Sequence, residues 1–177
     1  MKSILKFSLI ALLGLASSSF LSSCKKNGGG GTGSANEGTI TFKVNDNKIT
    51  TLEITTMAFR QSNQLIMQGN TGGTEAKAIA FIIMGFDGEG TYPFHGNVIT
   101  PNTAQYTETK IKLSDPTNPE TISWLTQATK TGETGEITFT EITSTHVKGT
   151  FHFNAQNLDD NSIKKITSGA FNVKLNQ

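Results

Sequence analysis

Strict alternation of apolar and polar side chains is the feature that most constrains how this chain can fold. It is clearest over residues 147–156, where every second residue is apolar or small. Successive side chains of a strand point to opposite faces of a sheet, so a period of two is typical of a half-buried strand. The inward set is Val147, Gly149, Phe151, Phe153 and Ala155. The chain therefore has to contain a sheet with one face against an apolar core.

The same signal predicts strands through most of the sequence, separated by turn-forming residues in the spacing of a meander. Residues 75–86 become apolar on both faces, which predicts a central strand that is covered on two sides or wrapped in a barrel wall. Pro93 predicts an edge position for its strand, because proline cannot donate to a ladder. The predicted strands are residues 39–44, 49–60, 64–69, 75–86, 90–94, 136–142, 147–155 and 171–175.

Residues 114–135 are compatible with two structures. Asn118-Pro119-Glu120 has the pattern of a helix start with proline at the first helical position. The following TISWLT segment has the composition of a strand. The predicted fold class is therefore all-β, a single antiparallel β-sandwich or a lipocalin-like β-barrel, with or without one short helix around residues 119–130.

Three segments share a glycine followed by bulky residues two and four positions later. Their unequal spacing excludes a regular structural repeat. Glycine permits a bulge or a close approach between strands, so we interpret each one as the start of a strand whose next two inward side chains fill the interior. The segments are GTYPF at residues 90–94, GTFHF at 149–153 and GAFNV at 169–173.

An export signal precedes the strands. Lys2 and Lys6 form a short positive region before an apolar run at residues 7–16, whose length suits a signal peptide and falls short of the ~20 residues of a membrane-spanning helix. Leu21-Ser22-Ser23-Cys24 resembles the lipobox of bacterial lipoproteins, which implies that Cys24 is acylated and becomes the first residue of the mature protein. The alternative is an ordinary free or buried thiol. With a single cysteine, no disulfide forms within the chain.

These features predict a domain organisation and exclude some partners. Residues 1–23 are predicted to be the signal peptide, residues 24–38 the acylated cysteine with a flexible glycine-rich tether, and residues 39–177 the all-β domain. Of the 15 basic residues, Lys2 and Lys6 leave with the signal peptide, so 13 basic residues face 14 acidic ones. A nearly neutral chain gives no electrostatic case for nucleic acid binding. Two or three acyl chains would instead hold it on a membrane.

Metal-binding patterns are weak. His95, His146 and His152 lack the dense ligand spacing of zinc sites. Asp87-Gly88-Glu89-Gly90 and Asp159-Asp160-Asn161 offer carboxylates for calcium but do not fit the twelve-residue EF-hand loop. Hairpin turns use the same residues for backbone reasons. We therefore predict no metal site and no cofactor.

Catalytic patterns are weak as well. The sequence has no nucleophile elbow, phosphate-binding loop or dinucleotide fingerprint. Glu133, Glu136 and Glu141 supply carboxylates of the kind a glycosidase needs, but on an outward strand face they indicate solubility. The sequence therefore predicts a protein that is not an enzyme.

The C-terminal strands carry a family resemblance. Residues 135–140, 147–155 and 166–173 resemble the strand trio of a Bacteroidota lipoprotein family of unknown function, whose members combine a lipobox, a low-complexity tether and one all-β domain. The resemblance implies an outer-membrane location. Lys25-Lys26-Asn27 lack the acidic residues that follow the cysteine in surface-exported lipoproteins of this group, which favours the periplasmic face.

Two functions fit these features. The first is a noncatalytic cell-envelope module, whose strand faces rich in Thr, Asn and Gln contact a protein or glycan partner. The second is a lipocalin-like carrier of a small apolar ligand. An interior void of at least ~300 Å³ would favour the carrier, and a packed interior would favour the module. The phenylalanines expected to line such a void are Phe42, Phe59, Phe81, Phe139, Phe151, Phe153 and Phe171.

Overall fold

The computed structural model describes residues 34–96, 102–130 and 132–176. Within these ranges, regular structure is almost entirely strand, and the only helical segments are the single 3₁₀ turns Glu53–Thr55 and Thr126–Ala128. The all-β class is therefore confirmed. The strands are β1 (Thr39–Val44), β2 (Asn47–Thr50), β3 (Met57–Gln61), β4 (Gln64–Asn70), β5 (Glu75–Met84), β6 (Gly90–Gly96), β7 (Thr103–Lys112), β8 (Asp115–Leu125), β9 (Gly132–Ile142), β10 (His146–Gln156) and β11 (Ile163–Asn176).

The strand pairings close into a ring with two walls. Strands β3-β4-β5-β7-β8 form one antiparallel wall, here called the β5 wall, and β2-β1-β11-β10-β9-β6 form the other, the β10 wall. At one corner Leu175 and Asn176 of β11 pair in parallel with β3, and at the other Gln156 of β10 pairs with Leu125 of β8. The protein is thus a barrel-like sandwich whose sheet is mixed, because the pairing of β11 with β3 is parallel.

Aromatic side chains fill the space between the two walls. Phe81, at the centre of the β5 wall, is buried, and its ring centroid lies 4.8 Å from that of Phe151 and 6.0 Å from that of Phe153. Phe94 stacks at 6.2 Å on another side of the same ring. These separations and the edge-to-face angles are those that aromatic quadrupoles favour. The interior is therefore a packed aromatic core around Phe81.

Reciprocal glycine and phenylalanine pairs join the two central strands of the β10 wall. Gly149 of β10 lies opposite Phe171 of β11, and Phe151 of β10 lies opposite Gly169 of β11. A Cβ atom on Gly149 would lie 2.6 Å from the Phe171 ring, and one on Gly169 would lie 2.5 Å from the Phe151 ring. Each glycine thus leaves room for the ring on the opposite strand, which confirms the close-approach interpretation of two of the three glycine segments. The predicted strand start is right for Gly90 and wrong for Gly149 and Gly169, which lie within β10 and β11.

Two strand predictions are confirmed and one is refined. Strand β6 pairs only with β9 among the described residues, so the edge position predicted from Pro93 is correct. Strand β5 lies between β4 and β7, as a central strand should. Its outer face is not covered by the described residues, because Ile82 and Met84 are about two-fifths exposed. Covering on two sides is therefore wrong, and the barrel-wall alternative is right.

The single strand predicted over residues 49–60 is wrong. The first 3₁₀ turn separates β2 from β3, and threonine hydroxyls hold the break. Thr56 Oγ1 donates to the carbonyl of Leu52 at 2.7 Å and lies 2.6 Å from Thr51 Oγ1, which accepts from the backbone N–H of Ile40 at 2.9 Å. Such side-chain bonds to the backbone compete with a regular ladder, and here they end the strand.

Of the two structures compatible with residues 114–135, a helix and a strand, the strand is the one observed. Residues 115–125 form β8, and helical geometry is limited to the second 3₁₀ turn, so the helix alternative is wrong for most of residues 119–130. Pro116 and Pro119 lie in the half of β8 that pairs only with β7 among the described residues. Proline has no backbone N–H to donate to a ladder. It is tolerated in a strand segment that pairs on one side only, because a donor on the unpaired side is not needed.

Candidate functional site

The residues singled out as possible metal ligands are dispersed in the structure. His95 lies on β6, whereas His146 and His152 lie six residues apart on β10. In the described part of the chain, no group of three or more His, Cys, Asp or Glu side chains could hold a metal ion. Cys24, the predicted acylation site, lies outside the described residues.

Both acidic turns bind their own neighbours. Asp87 Oδ1 accepts a hydrogen bond from the Tyr92 hydroxyl at 2.7 Å, which ties the turn to β6. In the second turn, Asn157 Oδ1 accepts from the backbone N–H groups of Asp159 and Asp160 at 2.7 and 3.0 Å. The bonds of Asn157 are side-chain-to-backbone contacts of the type that Asp and Asn form in turns.

The glutamates considered as catalytic groups follow β9. Glu141 accepts from His146 Nε2 at 2.8 Å and from Lys148 Nζ at 3.0 Å. The hydrogen bond from His146, followed by that from Lys148, holds the pKa of the Glu141 carboxyl below its usual range. Glu136 lies opposite His152 on the outward face of the β10 wall, and the side chain of Glu133 lies outside the described part. Glu141 therefore helps to hold a surface hairpin.

The interior does not provide the cavity that a carrier needs at the centre of the molecule. Six of the seven phenylalanines expected to line a void are buried and packed among other aromatic rings. Phe59 is the exception, because it lies on the outside of the β5 wall with 44% of its surface exposed. The centre of the interior is occupied by Phe81, Phe151 and Phe153. This packing favours recognition on an outer surface.

A shallow cleft of about 260 Å³ lies where β5, β7 and β8 extend beyond the core. On the inner side of β7, the buried Tyr106 is followed by Glu108 and Lys110. Opposite charges face each other across the strands: Lys77 lies opposite Glu108, and Lys110 lies between Glu75 on β5 and Glu120 on β8. Such cross-strand pairs stabilise a sheet, so the wall remains ordered where the apolar core ends.

Glu108 is the centre of the charge network at this cleft. Its Oε1 accepts hydrogen bonds from the Tyr106 hydroxyl at 2.9 Å and from Lys164 Nζ at 3.0 Å. Burial raises the pKa of the Glu108 carboxyl, but the bonds from Lys164 and Tyr106 outweigh it and hold this pKa below its usual range. Burial, with Glu108 as neighbour, raises the pKa of Tyr106. The Lys164 ammonium also lies 4.6 Å from the centre of the Trp124 ring.

The outer face of the β5 wall is the second candidate surface, and none of the outward residues named in this paragraph carries a charge. The burial alternation and the cross-strand register identify these residues directly. They are Met57, Phe59 and Gln61 on β3; Gln64, Ile66, Gln68 and Asn70 on β4; Ala76, Ala78, Ala80, Ile82 and Met84 on β5; Thr103, Gln105, Thr107 and Thr109 on β7; and Thr121, Ser123 and Leu125 on β8.

An apolar strip crosses this face at right angles to the strands. Phe59, Ile66 and Ile82 lie directly opposite one another on β3, β4 and β5. Phe59 and Ile82 are 44% and 39% exposed, and Ile66 is half-buried between them. Gln64 borders the strip on one side and Gln68 on the other, each two residues from Ile66 along β4. The strip is a solvent-facing row of hydrocarbon with amide groups on both flanks.

The outer face of the β10 wall has the opposite character. Lys148 and Glu141 pair there at 3.0 Å, and Lys174 reaches Glu53 at 2.7 Å. Ser34 and Ala35, the first described residues, lie against this face beside Lys148 and Thr150. The two outer faces of the molecule thus differ in charge, and the N-terminal segment enters the domain across the charged one.

Comparison with protein families assigns this architecture to a known group. The family described as "Domain of unknown function (DUF6252)" matches residues 36–173, which is well over half of the 177-residue chain. The chain belongs to this family. The matched segment begins just before β1 and ends within β11, so the family's domain includes both walls. No curated protein and no solved structure matches the chain.

Over residues 34–96, 102–130 and 132–176, no helix combines the length and the hydropathy needed to cross a bilayer.

Neither candidate surface could be recognised from single motifs in the sequence. Each depends on residues of neighbouring strands that are up to several tens of positions apart in the chain, and the signal that points to them is the register.

Proposed function

We propose that this chain is a lipid-anchored, noncatalytic binding module of the bacterial cell envelope. The proposal places it on the outer membrane of a Bacteroidota species, at the periplasmic face, with Cys24 as the acylated residue. The lipobox pattern before Cys24 supports the anchor, and Lys25-Lys26 after it support the periplasmic side. Two or three acyl chains bury enough CH₂ groups to hold a folded domain at a bilayer.

The observation that carries the binding role is the uncharged outer face of the β5 wall. Exposed apolar residues on a folded domain are normally scattered, so the contiguous row of Phe59, Ile66 and Ile82 supports a role of this face in binding. The opposite face of the molecule, with Lys148 and Glu141, has the mixed charges of an ordinary solvated surface. Binding through the β5 wall therefore accounts for the difference between the faces.

The path of the chain supports this orientation. Gly38 donates its backbone N–H to the carbonyl of Asn172 at 2.7 Å, and Ser34 lies on the same side of the β10 wall. Ser34 lies ten positions after Cys24 in the chain, which allows a separation of at most about 35 Å. The charged β10 wall is then the side nearer the membrane, and the β5 wall points away from it, toward a partner.

The packed core supports a module over a carrier. A small apolar ligand would have to displace Phe81 or its neighbours, because these rings already occupy the centre of the interior. Loss of such packing is unfavourable. Glu108, the most buried carboxylate described at the cleft, is held in its ionised form by Lys164 and Tyr106, which suits a structural charge pair better than a general acid.

The anchoring proposal is tested in cells that express the full chain and its Cys24→Ala variant. We expect the wild-type chain to incorporate radiolabelled palmitate. It should sediment with the membranes and stay bound to them when they are washed with alkaline carbonate. The Cys24→Ala chain should lack the label and move to the soluble fraction. A wild-type chain without label, or a variant that remains on membranes, would contradict the anchor. Protease added to intact cells should leave the domain uncut if it faces the periplasm.

A further inference from the structure

We propose that the apolar strip of Phe59, Ile66 and Ile82 binds an extended, uncharged polysaccharide chain, which lies across β3, β4 and β5. This inference rests on the binding role proposed above and specifies its partner. The first step is the chemistry of the strip itself. A sugar ring presents a C–H face that packs on exposed hydrocarbon, and Phe59 and Ile82, at 44% and 39% exposure, offer such a surface to solvent.

The flanking amides supply the second requirement. Hydroxyl groups around a sugar ring both donate and accept hydrogen bonds, and a glutamine amide offers an acceptor oxygen and two donors. The amide groups of Gln61, Gln64 and Gln68 make no hydrogen bond to any described residue of the chain, whereas Gln105 already donates to Thr107 and Ser123. The unused amides therefore lie on both sides of the strip, where the hydroxyl edges of a bound chain would be.

The absence of charge sets the class of glycan. None of the outward residues named above for β3, β4, β5, β7 and the 121–125 half of β8 is charged, so this part of the face offers no counter-ion for a uronate, sulfate or phosphate group. An anionic polymer would lose part of its hydration on this surface without an ion pair in return. A neutral polysaccharide has no such loss. Binding should accordingly be insensitive to salt, because screening acts on charges.

A second copy of this chain fits the face less well. Stable protein interfaces place their apolar residues at the centre with a polar rim. Here amide groups lie close to the apolar strip and not only at a rim, because Gln64 and Gln68 each lie two residues from Ile66 along β4. From Ala76 to Met84 and across five strands, the face measures about 26 by 19 Å. This is about 500 Å², below the ~800 Å² per partner of a standard interface.

An extended peptide fits it less well for a different reason. Peptides that bind as an added strand use free N–H and C=O groups at a sheet edge. Strands β4 and β5 are paired on both sides, so their backbone groups are already used in the ladders. Only side chains remain for recognition on this face, and those side chains are hydrocarbon and amide.

The test uses the full chain in nonionic detergent and native electrophoresis through gels cast with single polysaccharides. The neutral probes are mannan, dextran, xyloglucan and laminarin, and polygalacturonate is the charged comparison. We expect at least one neutral probe to retard the chain, equally in 50 mM and 500 mM salt, and polygalacturonate not to. Phe59→Ala and Ile82→Glu should each weaken the retardation about tenfold or more. The control variant Thr150→Ala, on the outer face of the β10 wall, should leave it unchanged.

The outcomes separate the proposals. Lack of retardation by every neutral probe, equal loss in Thr150→Ala, or binding that disappears in 500 mM salt would overturn the glycan proposal. The glycan proposal would also be overturned if the chain bound no saccharide and formed a concentration-dependent dimer that Phe59→Ala dissociates. That result would show that the strip binds a second copy of the chain. Circular dichroism of each variant shows whether a loss of retardation reflects unfolding. If Phe59→Ala or Ile82→Glu does not fold, the double variant Gln64→Ala with Gln68→Ala is tested in its place. Palmitate labelling does not depend on any of these results, so the anchor can hold while the glycan proposal fails.

Discussion

The two faces of the β5 wall carry similar residues and have different roles. The inner face buries Phe81 and Ile83, and the outer face exposes Phe59 and Ile82. In sequence these residues are equivalent, since Phe81, Ile82 and Ile83 are consecutive and apolar. What separates them is the opposite wall. Phe81 meets three aromatic rings across the core, whereas nothing in the described part of the chain covers Phe59. The same side-chain chemistry is therefore buried in the core on one face and exposed to solvent on the other.

The largest effect that separates the two faces is expected at Phe81. Phe81→Ala leaves a cavity among Phe94, Phe151 and Phe153, and such substitutions lower the free energy of unfolding by about 3–5 kcal/mol. Phe59→Ala is the matched control and should lower it by about 1 kcal/mol, because only part of that side chain is buried. Urea unfolding followed by tryptophan fluorescence measures both. Equal losses in the two variants would mean that the faces are not distinct.

The next effect is expected at the glycine and phenylalanine pairs of the β10 wall. In Gly149→Ala the new methyl group would overlap the carbonyl oxygen of Thr138 and press on the Phe171 ring. Overpacking of this kind costs about 1–3 kcal/mol. Gly73→Ala is a control of a different kind, because its methyl group meets nothing but its φ is +80°, so it tests backbone strain alone. Thermal unfolding of the two variants compares them, and an unaffected Gly149→Ala protein would contradict the pairing.

Much of the fold follows from alternation alone. Residues 39–44, 64–69 and 147–155 are predicted and observed as strands because each has one face in the core. Residues 103–112 were not predicted, and β7 shows why. Its inward positions begin with Ala104 and Tyr106 but continue with Glu108 and Lys110, as the strand leaves the core. The period of two persists in the backbone, but the apolar signal that reveals it ends halfway.

The candidate surfaces were harder to predict than the strands. Phe59 was expected in the interior, because its strand has apolar residues on both faces and alternation does not say which face is inward. The register with β4 and β5, which places Phe59 beside Ile66 and Ile82, depends on turns and on the break at Thr51 and Thr56. A single sequence contains no direct signal for that register. The packed core was not predicted either, because the same inward phenylalanines are compatible with the lining of a void and with a filled interior.

A smaller effect is expected at Glu108, in the cleft formed by β5, β7 and β8, and this effect depends on pH. The folded-state pKa of Glu108 is lowered by Lys164 and Tyr106. Its contribution to stability is therefore present above the unfolded pKa of about 4.3 and is lost as the pH falls through the folded value. Glu108→Gln should lower the free energy of unfolding by about 1 kcal/mol at pH 7, and the difference between the two proteins should shrink as the pH falls below the unfolded pKa. A difference that does not change with pH would show that the charge is not responsible. Urea titrations at pH 3, 5 and 7 measure this.

The smallest effect on stability is expected at the amides beside the apolar strip, and it is the sharpest test of the difference between the faces. Gln68 is exposed and its amide makes no hydrogen bond within the described residues. Gln68→Ala should thus change the free energy of unfolding by less than about 0.5 kcal/mol, as surface substitutions usually do. Gln64→Ala should behave in the same way. If either variant lost as much stability as Phe59→Ala, its amide would have a structural role, and the outer face of the β5 wall would be a second stabilising surface. If the free energy of unfolding is unchanged and the retardation by polysaccharide is weakened, these amides take part in recognition. An amide that does not stabilise the fold can affect the retardation only by contacting the polysaccharide.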